Sequence, residues 1–258
     1  MEVAMSRPLR VAVIGEFNED FLPHVATCDG LRHAADFLSL HLDIVWLSSN
    51  EFVAGADRRL REFDAVYIAP GSPFASLEGC LNAITYAREN AVPTIGTCGG
   101  YQYLVIEYAR RVLGHAEAQH EEHDPEASEL FIARLACSLV GRRLEVHLLP
   151  GTRAAECYPS SVSEEQYYCN FGLNPDYREA LEAGGFRASG TDADGEARIL
   201  ELSDHPFYVA TLFVPPLTSS AERPHPLLVA FLKAAQRGAS SATPSIVEPC
   251  IAASGINE

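Results

Sequence analysis

The stretch PTIGTCGGYQYLVIEYARRVLG, residues 93–114, constrains the fold of this chain more than any other. A short apolar run ends at Cys98, which stands in a G-x-C-x-G pattern with Gly96 and Gly100, and an amphipathic segment follows. This order predicts a strand, a sharp turn and a helix, the elbow that presents a nucleophilic side chain. The N-terminus of the helix favours a thiolate. Cys98 is therefore a predicted nucleophile, and the alternative is a buried cysteine in a glycine-rich turn.

Strand and helix patterns alternate through the first half of the chain. Apolar, β-branched runs at 9–17, 43–49, 63–73 and 93–97 predict strands, and helical patterns follow at 30–41, 80–90 and 101–114. Near-continuous apolar strands separated by helices indicate an α/β fold with a mainly parallel central sheet covered on both faces.

The second half of the chain changes character. Strand-like segments recur at short spacing (LFIARLACSLVG, RRLEVHLLPG, GFRASGT, EARILEL and YVATLFVPP), with one helix near NPDYREALEAGG. They predict an added antiparallel β region. A helix at 226–238 closes a single domain over 1–238, and the Ser-, Ala- and Pro-rich segment 239–258 is expected to be an extended or flexible tail.

Charge and cysteine content exclude several function classes. The net charge is −16, from 19 basic and 35 acidic residues, and no basic cluster stands out, so nucleic acid and anionic membranes are not expected partners. Without a long apolar run or a signal-like segment, the expectation is a cytoplasmic protein. The seven cysteines are an odd number without CxxC spacing, which predicts neither a disulfide framework nor a zinc site.

The elbow also carries a family resemblance. GTCGGYQYLVIEYARRVLG resembles the G-x-C-x-G-x-Q nucleophile segment of class I glutamine amidotransferases, most closely the amidotransferase domain of CTP synthase. RVAVIGEF, FDAVYIAPGSP, HDPEAS and LELSDHPFYVATLF agree in the same order, and the match runs from about residue 9 to 235. The resemblance implies a flavodoxin-like three-layer fold without a cofactor, and it does not extend to the ATP-dependent synthase domain of that enzyme.

The resemblance also implies roles for individual residues. Cys98 would be the nucleophile, and Gln102 and Glu122 match the family residues at the glutamine α-amino group. The oxyanion loop and the elbow would be formed by four further residues: Gly71, Ser72, Gly99 and Gly100. The family takes its catalytic His and Glu from an F-H-P-E segment, where this chain has Phe213, Val214, Pro215 and Pro216. The expected triad is therefore broken.

A second departure concerns substrate recognition. The family stretch R-H-R-Y-E supplies an arginine for the α-carboxylate of glutamine, whereas this chain has Asn170 at that place. An uncharged amide cannot give the same charge-assisted pairing. A substitute base is sought in QHEEHD, residues 119–124, where His120 is the first candidate and His123 the second. The alternative for this segment is a solvated acidic loop, and a metal site is not expected because no third ligand is evident.

Two functions remain open. The first is a cysteine-dependent hydrolase of a glutamine-like amide, with Cys98 as nucleophile and His120 as substitute base. The second is a non-catalytic ligand-binding or scaffolding homologue that has lost glutaminase activity. The expected partner is glutamine or a glutamine-like small molecule, with a synthase subunit or a second copy of the chain as further candidates. His205 and His225 are interpreted as structural.

Overall fold

The computed structural model describes residues 7–241. The twelve strands of this part are β1 Leu9–Ile14, β2 Leu42–Leu47, β3 Ala65–Ile68, β4 Thr94–Thr97, β5 Ala118–His120, β6 Glu129–Arg134, β7 Arg143–Leu148, β8 Val162–Gln166, β9 Phe171–Leu173, β10 Phe186–Thr191, β11 Ala197–Leu202 and β12 Tyr208–Thr211. The seven α-helices of this part are α1 Leu22–Phe37, α2 Asp57–Leu60, α3 Leu77–Glu89, α4 Gly99–Arg111, α5 Arg153–Cys157, α6 Arg178–Gly184 and α7 Pro226–Ser241. No helix among these residues is long and apolar enough to cross a membrane.

A nine-stranded sheet forms the centre of the molecule, in the order β2-β1-β3-β4-β12-β11-β10-β7-β8. The first five strands in this order are parallel, and the remaining pairings are antiparallel. The predicted antiparallel region is thus a continuation of the central sheet. Helices cover both faces of the sheet, α1 packing with α7 and α3 packing with α4.

Burial explains why the parallel strands read as apolar runs. Every residue of β3, β4 and β12 is buried, as are five of the six residues of β1. A strand that is covered on both faces has no solvent side and needs no polar alternation. The parallel half of the sheet is therefore the core on which the neighbouring loops are mounted.

A small second sheet, in the order β5-β6-β9, lies beside α4. Strand β6 falls in the predicted segment LFIARLACSLVG, whereas β5 and β9 have only three residues each and carry no strand pattern. The polar strand β8, with the sequence VSEEQ, was also missed, because it is a sheet edge with one buried residue.

The structure corrects two predicted boundaries. The first helix begins at Leu22, eight residues before the predicted start at 30, because Pro23 sits in its first turn, where a missing N–H is tolerated. The last helix continues to Ser241, so residues 239–241 of the predicted tail are helical. Residues 242–258 of that tail, and Cys250 with them, lie outside the described residues.

Candidate functional site

Cys98 lies where the sequence predicts it, in the turn between β4 and α4. Its backbone has φ 53° and ψ −109°, a conformation that residues with a side chain rarely adopt. Both glycines after it are required by close approach: a Cβ on Gly99 would meet the Gly71 carbonyl, and one on Gly100 would meet the Ile68 carbonyl. The glycines therefore let the helix N-terminus pack directly on the chain that follows β3.

Neighbouring groups lower the pKa of the Cys98 thiol. The largest effect is a hydrogen bond with the Cys169 side chain, and the backbone N–H groups of Gly71 and Gly99 add to it. Together they lower the pKa of Cys98 below its ordinary value, although burial and the charge of Glu122 act in the opposite direction. A thiolate at this turn is thus stabilised by neutral donors, which are also suited to an oxyanion.

No histidine within residues 7–241 hydrogen-bonds to the Cys98 sulfur; its other contact is the carbonyl oxygen of Tyr168, at 3.4 Å. Val214, three residues beyond β12, is completely buried, and its N–H donates to the Gln166 carbonyl at 2.8 Å. Pro216 packs at the place where a Cβ on Gly30 would fall. Val214 and Pro216, at the positions of the family His and Glu, are therefore buried apolar side chains.

Gln102, His120 and Glu122 form one connected group beside the nucleophile. Gln102 donates through Nε2 to the Phe171 carbonyl at 2.9 Å, and its Oε1 lies 3.0 Å from Nε2 of His120. The backbone N–H of Glu122 donates to Nδ1 of His120 at 3.0 Å. Since Nδ1 accepts, the proton of the neutral ring is on Nε2 and is donated to Gln102.

This arrangement disfavours His120 as a substitute base. The side chain is fully buried, and burial lowers its pKa to about 3, with the neighbouring His123 adding to the effect. Both ring nitrogens are committed, and neither contacts Cys98. His120 instead fixes the orientation of the Gln102 amide and of the Glu122 backbone.

The loop after β3 carries the other two predicted residues. Gly71 has φ 99°, which favours glycine, and Ser72 donates its hydroxyl to Glu122 at 2.6 Å. His24, on α1, holds the loop: its Nε2 lies 2.8 Å from the Pro70 carbonyl, and its Nδ1 accepts from the Asn18 N–H at 3.0 Å. The sequence analysis missed His24, because only the tertiary fold brings α1 to this loop.

The aromatic side chain of Phe21 packs against the loop after β3. The centre of the Phe21 ring lies 5.3 Å from the centre of the Tyr168 ring. One Phe21 ring atom lies 3.3 Å from the point where a Cβ would stand if Gly71 had a side chain. Phe21 and His24 also line a cavity of about 220 Å³ against residues 70–74. A larger cavity of about 540 Å³, between the end of α1, α5 and α7, contains none of the predicted site residues.

Asn170 is exposed, and its carbonyl accepts from the Leu135 N–H at 2.9 Å. Arg134 on β6 is paired with Phe171 on β9, the residue that follows Asn170. Its guanidinium lies 4.9 Å from the centre of the Phe171 ring. Phe171 in turn packs against His120, with 4.9 Å between the ring centres. A positive charge is thus present one aromatic ring away from the Gln102 group.

His120, Glu122 and His123 form a group with spacing suited to a metal ion, their ligand atoms lying within 4.8 Å of one another. The two imidazole rings are stacked, however, with 4.8 Å between centres and an interplanar angle of 22°. Both nitrogens of His120 are already hydrogen-bonded. The geometry therefore does not present three free lone pairs to one ion.

The two histidines interpreted as structural lie away from this site. His225 is buried against Glu165, with Nε2 at 3.2 Å from both carboxylate oxygens. His205 accepts from the Phe207 N–H at 3.2 Å. Each is held inside the fold by its own partners.

Comparison with known proteins places this geometry in a family context. The model of the class I glutamine amidotransferase family matches residues 29–233. The CTP synthase of Thermomicrobium roseum is 35% identical over 239 residues, which cover 89% of this chain and 43% of that protein. The CTP synthase of Haloquadratum walsbyi is 35% identical over 233 residues, with coverages of 86% and 41%. The chain spans less than half the length of these relatives.

Solved structures agree with the sequence relatives. The glutaminase domain of Trypanosoma brucei CTP synthase, solved with bound acivicin, superposes with a TM-score of 0.79 at 25% identity, covering 89% of this chain and 94% of that one. A glutamine amidotransferase from Thermotoga maritima has a TM-score of 0.57 at 14% identity and shares the fold.

Proposed function

Because the chain belongs to the class I glutamine amidotransferase family, we propose that it is a hydrolase of a glutamine-like amide with Cys98 as the nucleophile. The observation that carries this proposal is the elbow itself. Cys98 is held at φ 53°, and its neighbours Cys169, Gly71 and Gly99 lower the pKa of its thiol. Strained backbone is retained where the surroundings over-determine it, and such places are mostly functional.

The first chemical step follows from these contacts. The Cys98 thiolate attacks the amide carbon, the S–C bond forms, and the carbonyl oxygen becomes an oxyanion. The N–H groups of Gly71 and Gly99, which stabilise the thiolate, are placed to stabilise this oxyanion. Removal of one such donor typically costs about 10²–10³-fold in rate.

The second step needs a proton for the departing nitrogen, and the residues around Cys98 do not supply it in the family manner. Val214 and Pro216 have no titratable group, so general acid–base help of about 10²–10⁴-fold is missing unless the substrate replaces it. We therefore expect glutamine to be a poor substrate. A substituted γ-glutamyl amide whose leaving group assists its own protonation is the better fit.

Recognition of the amino-acid part is also incomplete in comparison with the family. The exposed carboxylate of Glu122, held by Ser72, is suited to a substrate ammonium group. Asn170 offers no cation for a carboxylate. The α-carboxylate of a γ-glutamyl substrate is then expected to be recognised less tightly than in the family.

The test is ammonia or amine release from glutamine and from a panel of γ-substituted glutamine analogues. Wild type is compared with Cys98→Ala and with the matched control Cys157→Ala, which removes a half-buried thiol outside the site. We expect little release from glutamine and faster release from at least one analogue, abolished by Cys98→Ala alone. Robust release from glutamine that depends on Cys98 would overturn the changed-substrate proposal.

The second candidate function is a non-catalytic binding or scaffolding protein. The buried apolar packing of Val214 and Pro216 favours it, because it removes both proton-transfer groups without disturbing the fold. Binding of analogues without turnover across the whole panel would select this function. In either case a cytoplasmic protein is proposed, and a synthase subunit or a second copy of the chain is the partner to seek.

A further inference from the structure

Cys98 and Cys169 are both buried, with 4% and 3% of their surfaces exposed. The Cys98 sulfur lies 3.4 Å from the carbonyl oxygen of Tyr168, the residue that precedes Cys169. Both cysteines are anchored to one segment of chain: the Cys98 N–H donates to Thr211 O at 2.9 Å and the Cys169 thiol to Leu212 O at 3.1 Å. These contacts place the two side chains next to each other, and the neighbouring Cys169 is the largest influence on the pKa of Cys98.

This contact sets the pair apart from the other cysteines of residues 7–241. All six cysteines in this range are free thiols. Cys80 is enclosed in the core, and Cys157 donates to the carbonyl of Arg153 at 3.1 Å. The proposed amidase chemistry uses Cys98 alone and gives Cys169 no covalent task.

The two thiols differ in acidity in the sense that disulfide chemistry requires. Hydrogen bonding lowers the pKa of Cys98, whereas burial holds the pKa of Cys169 well above its ordinary value. Cys98 is therefore the thiolate that reacts first, and Cys169 remains a protonated thiol beside it. Its proton, donated to Leu212 O while Cys98 is neutral, is available to the Cys98 thiolate.

We propose that Cys98 and Cys169 form a reversible disulfide, with a hydroperoxide as oxidant and a small thiol as reductant. The Cys98 thiolate attacks the peroxide, so that an S–O bond forms, the O–O bond breaks and, with a proton, water or an alcohol leaves. Cys169 then loses its proton and attacks the Cys98 sulfenic acid: the S–S bond forms, the S–O bond breaks and water leaves. The two thiols together give two electrons to the peroxide.

The consequence for activity rests on the proposed function, whereas the disulfide itself does not. A disulfide would occupy the sulfur that attacks the amide, so oxidation would switch the hydrolase off. Cys169 would at the same time protect Cys98 from further oxidation, because a resolved sulfenic acid does not proceed to the irreversible sulfinic acid.

The experiment treats the reduced full chain with one equivalent of hydrogen peroxide, blocks the remaining thiols and maps the peptides without reduction. We expect a peptide joining Cys98 to Cys169 that disappears after dithiothreitol. In Cys169→Ser we expect no such peptide and accumulation of sulfinic acid at Cys98. The control Cys157→Ser should form the same cross-link as wild type.

Other outcomes overturn the proposal. These are a Cys98 cross-link to a different cysteine, sulfinic acid at Cys98 in wild type without a cross-link, or no oxidation of either residue. If Cys169→Ser does not fold, the wild-type peptide map decides alone. A reversible cross-link in a protein that hydrolyses no amide would leave the disulfide standing and refute the proposed function, so the two failures are distinguishable.

Discussion

The burial of His120 predicts a specific loss of stability in acid. Its ring is completely buried, and desolvation lowers its pKa to about 3, with His123 as a secondary cause. In the unfolded chain a histidine has a pKa of about 6.5. Between these two values the unfolded chain binds a proton that the folded chain does not. The free energy of unfolding must therefore fall as the pH falls through this range.

The size of the effect follows from the same two values. From pH 7 to pH 5, the unfolded chain changes from mostly neutral to mostly protonated at this residue, while the folded chain stays neutral. Linkage gives a loss of about 2 kcal/mol over this interval for a folded pKa near 3. Burial also lowers the pKa of His24, His123 and His205, so the whole protein should lose more than this one residue contributes.

The assay isolates His120 by difference. Urea unfolding is measured at pH 7 and pH 5 for wild type, for His120→Gln, whose amide can still donate to Gln102, and for His41→Gln, which changes an exposed histidine. The pH-dependent loss should be about 2 kcal/mol smaller in His120→Gln than in wild type, and unchanged in His41→Gln. Equal losses in wild type and His120→Gln would refute the reasoning, as would an NMR titration in which the His120 ring protonates near pH 6.

Three further outcomes follow from single contacts. Cys169→Ala removes the main donor to Cys98, so the pH profile of Cys98 alkylation by iodoacetamide should move to higher pH; an unmoved profile would assign the acidity to the backbone N–H groups. Gly99→Ala drives a Cβ into the Gly71 carbonyl and should lower the free energy of unfolding by about 1–3 kcal/mol or more, unlike Gly238→Ala, which meets open space. Arg88→Met removes the cation that lies 2.8 Å from the buried Glu107 carboxylate and should lower the free energy of unfolding by about 3–5 kcal/mol. Adding Glu107→Leu should recover most of this loss, and a double variant as unstable as the single one would contradict the argument.

The elbow and the parallel sheet could be predicted from the sequence because their signals are local. The glycines at 99 and 100 are dictated by backbone contact, and a strand buried on both faces must be apolar along its whole length. The segments that escaped prediction have the opposite character. The edge strand β8 has one buried residue. In the small sheet beside α4, β5 and β9 have three residues each, too few for a periodicity.

The contacts around Cys98 could not be predicted from the sequence, because they join residues that are far apart in the chain. Cys169 is 71 positions away in the chain and His24 is 74 positions away, and each reaches the site through the packing of a different element. Sequence proximity to Glu122 made His120 the candidate base, and only its two hydrogen bonds and its burial show that its nitrogens are occupied. A titratable residue type near a site therefore says less about proton transfer than the partners of its lone pairs.

At this site, the groups that lower the pKa of Cys98 are not groups that can pass its proton to a leaving group. In the family, a histidine both takes the proton of the nucleophile and returns it to the leaving group. Here the thiolate is favoured by its neighbours Cys169, Gly71 and Gly99, which lower the pKa of Cys98. These donors can stabilise negative charge on sulfur or oxygen, but the two N–H groups carry no titratable proton. Attack on an amide carbon is then supported, whereas departure of a poor leaving group is not. The proposed hydrolase rests on that asymmetry. For substrates graded by the basicity of their leaving groups, the rate in wild type should therefore fall steeply as that basicity rises.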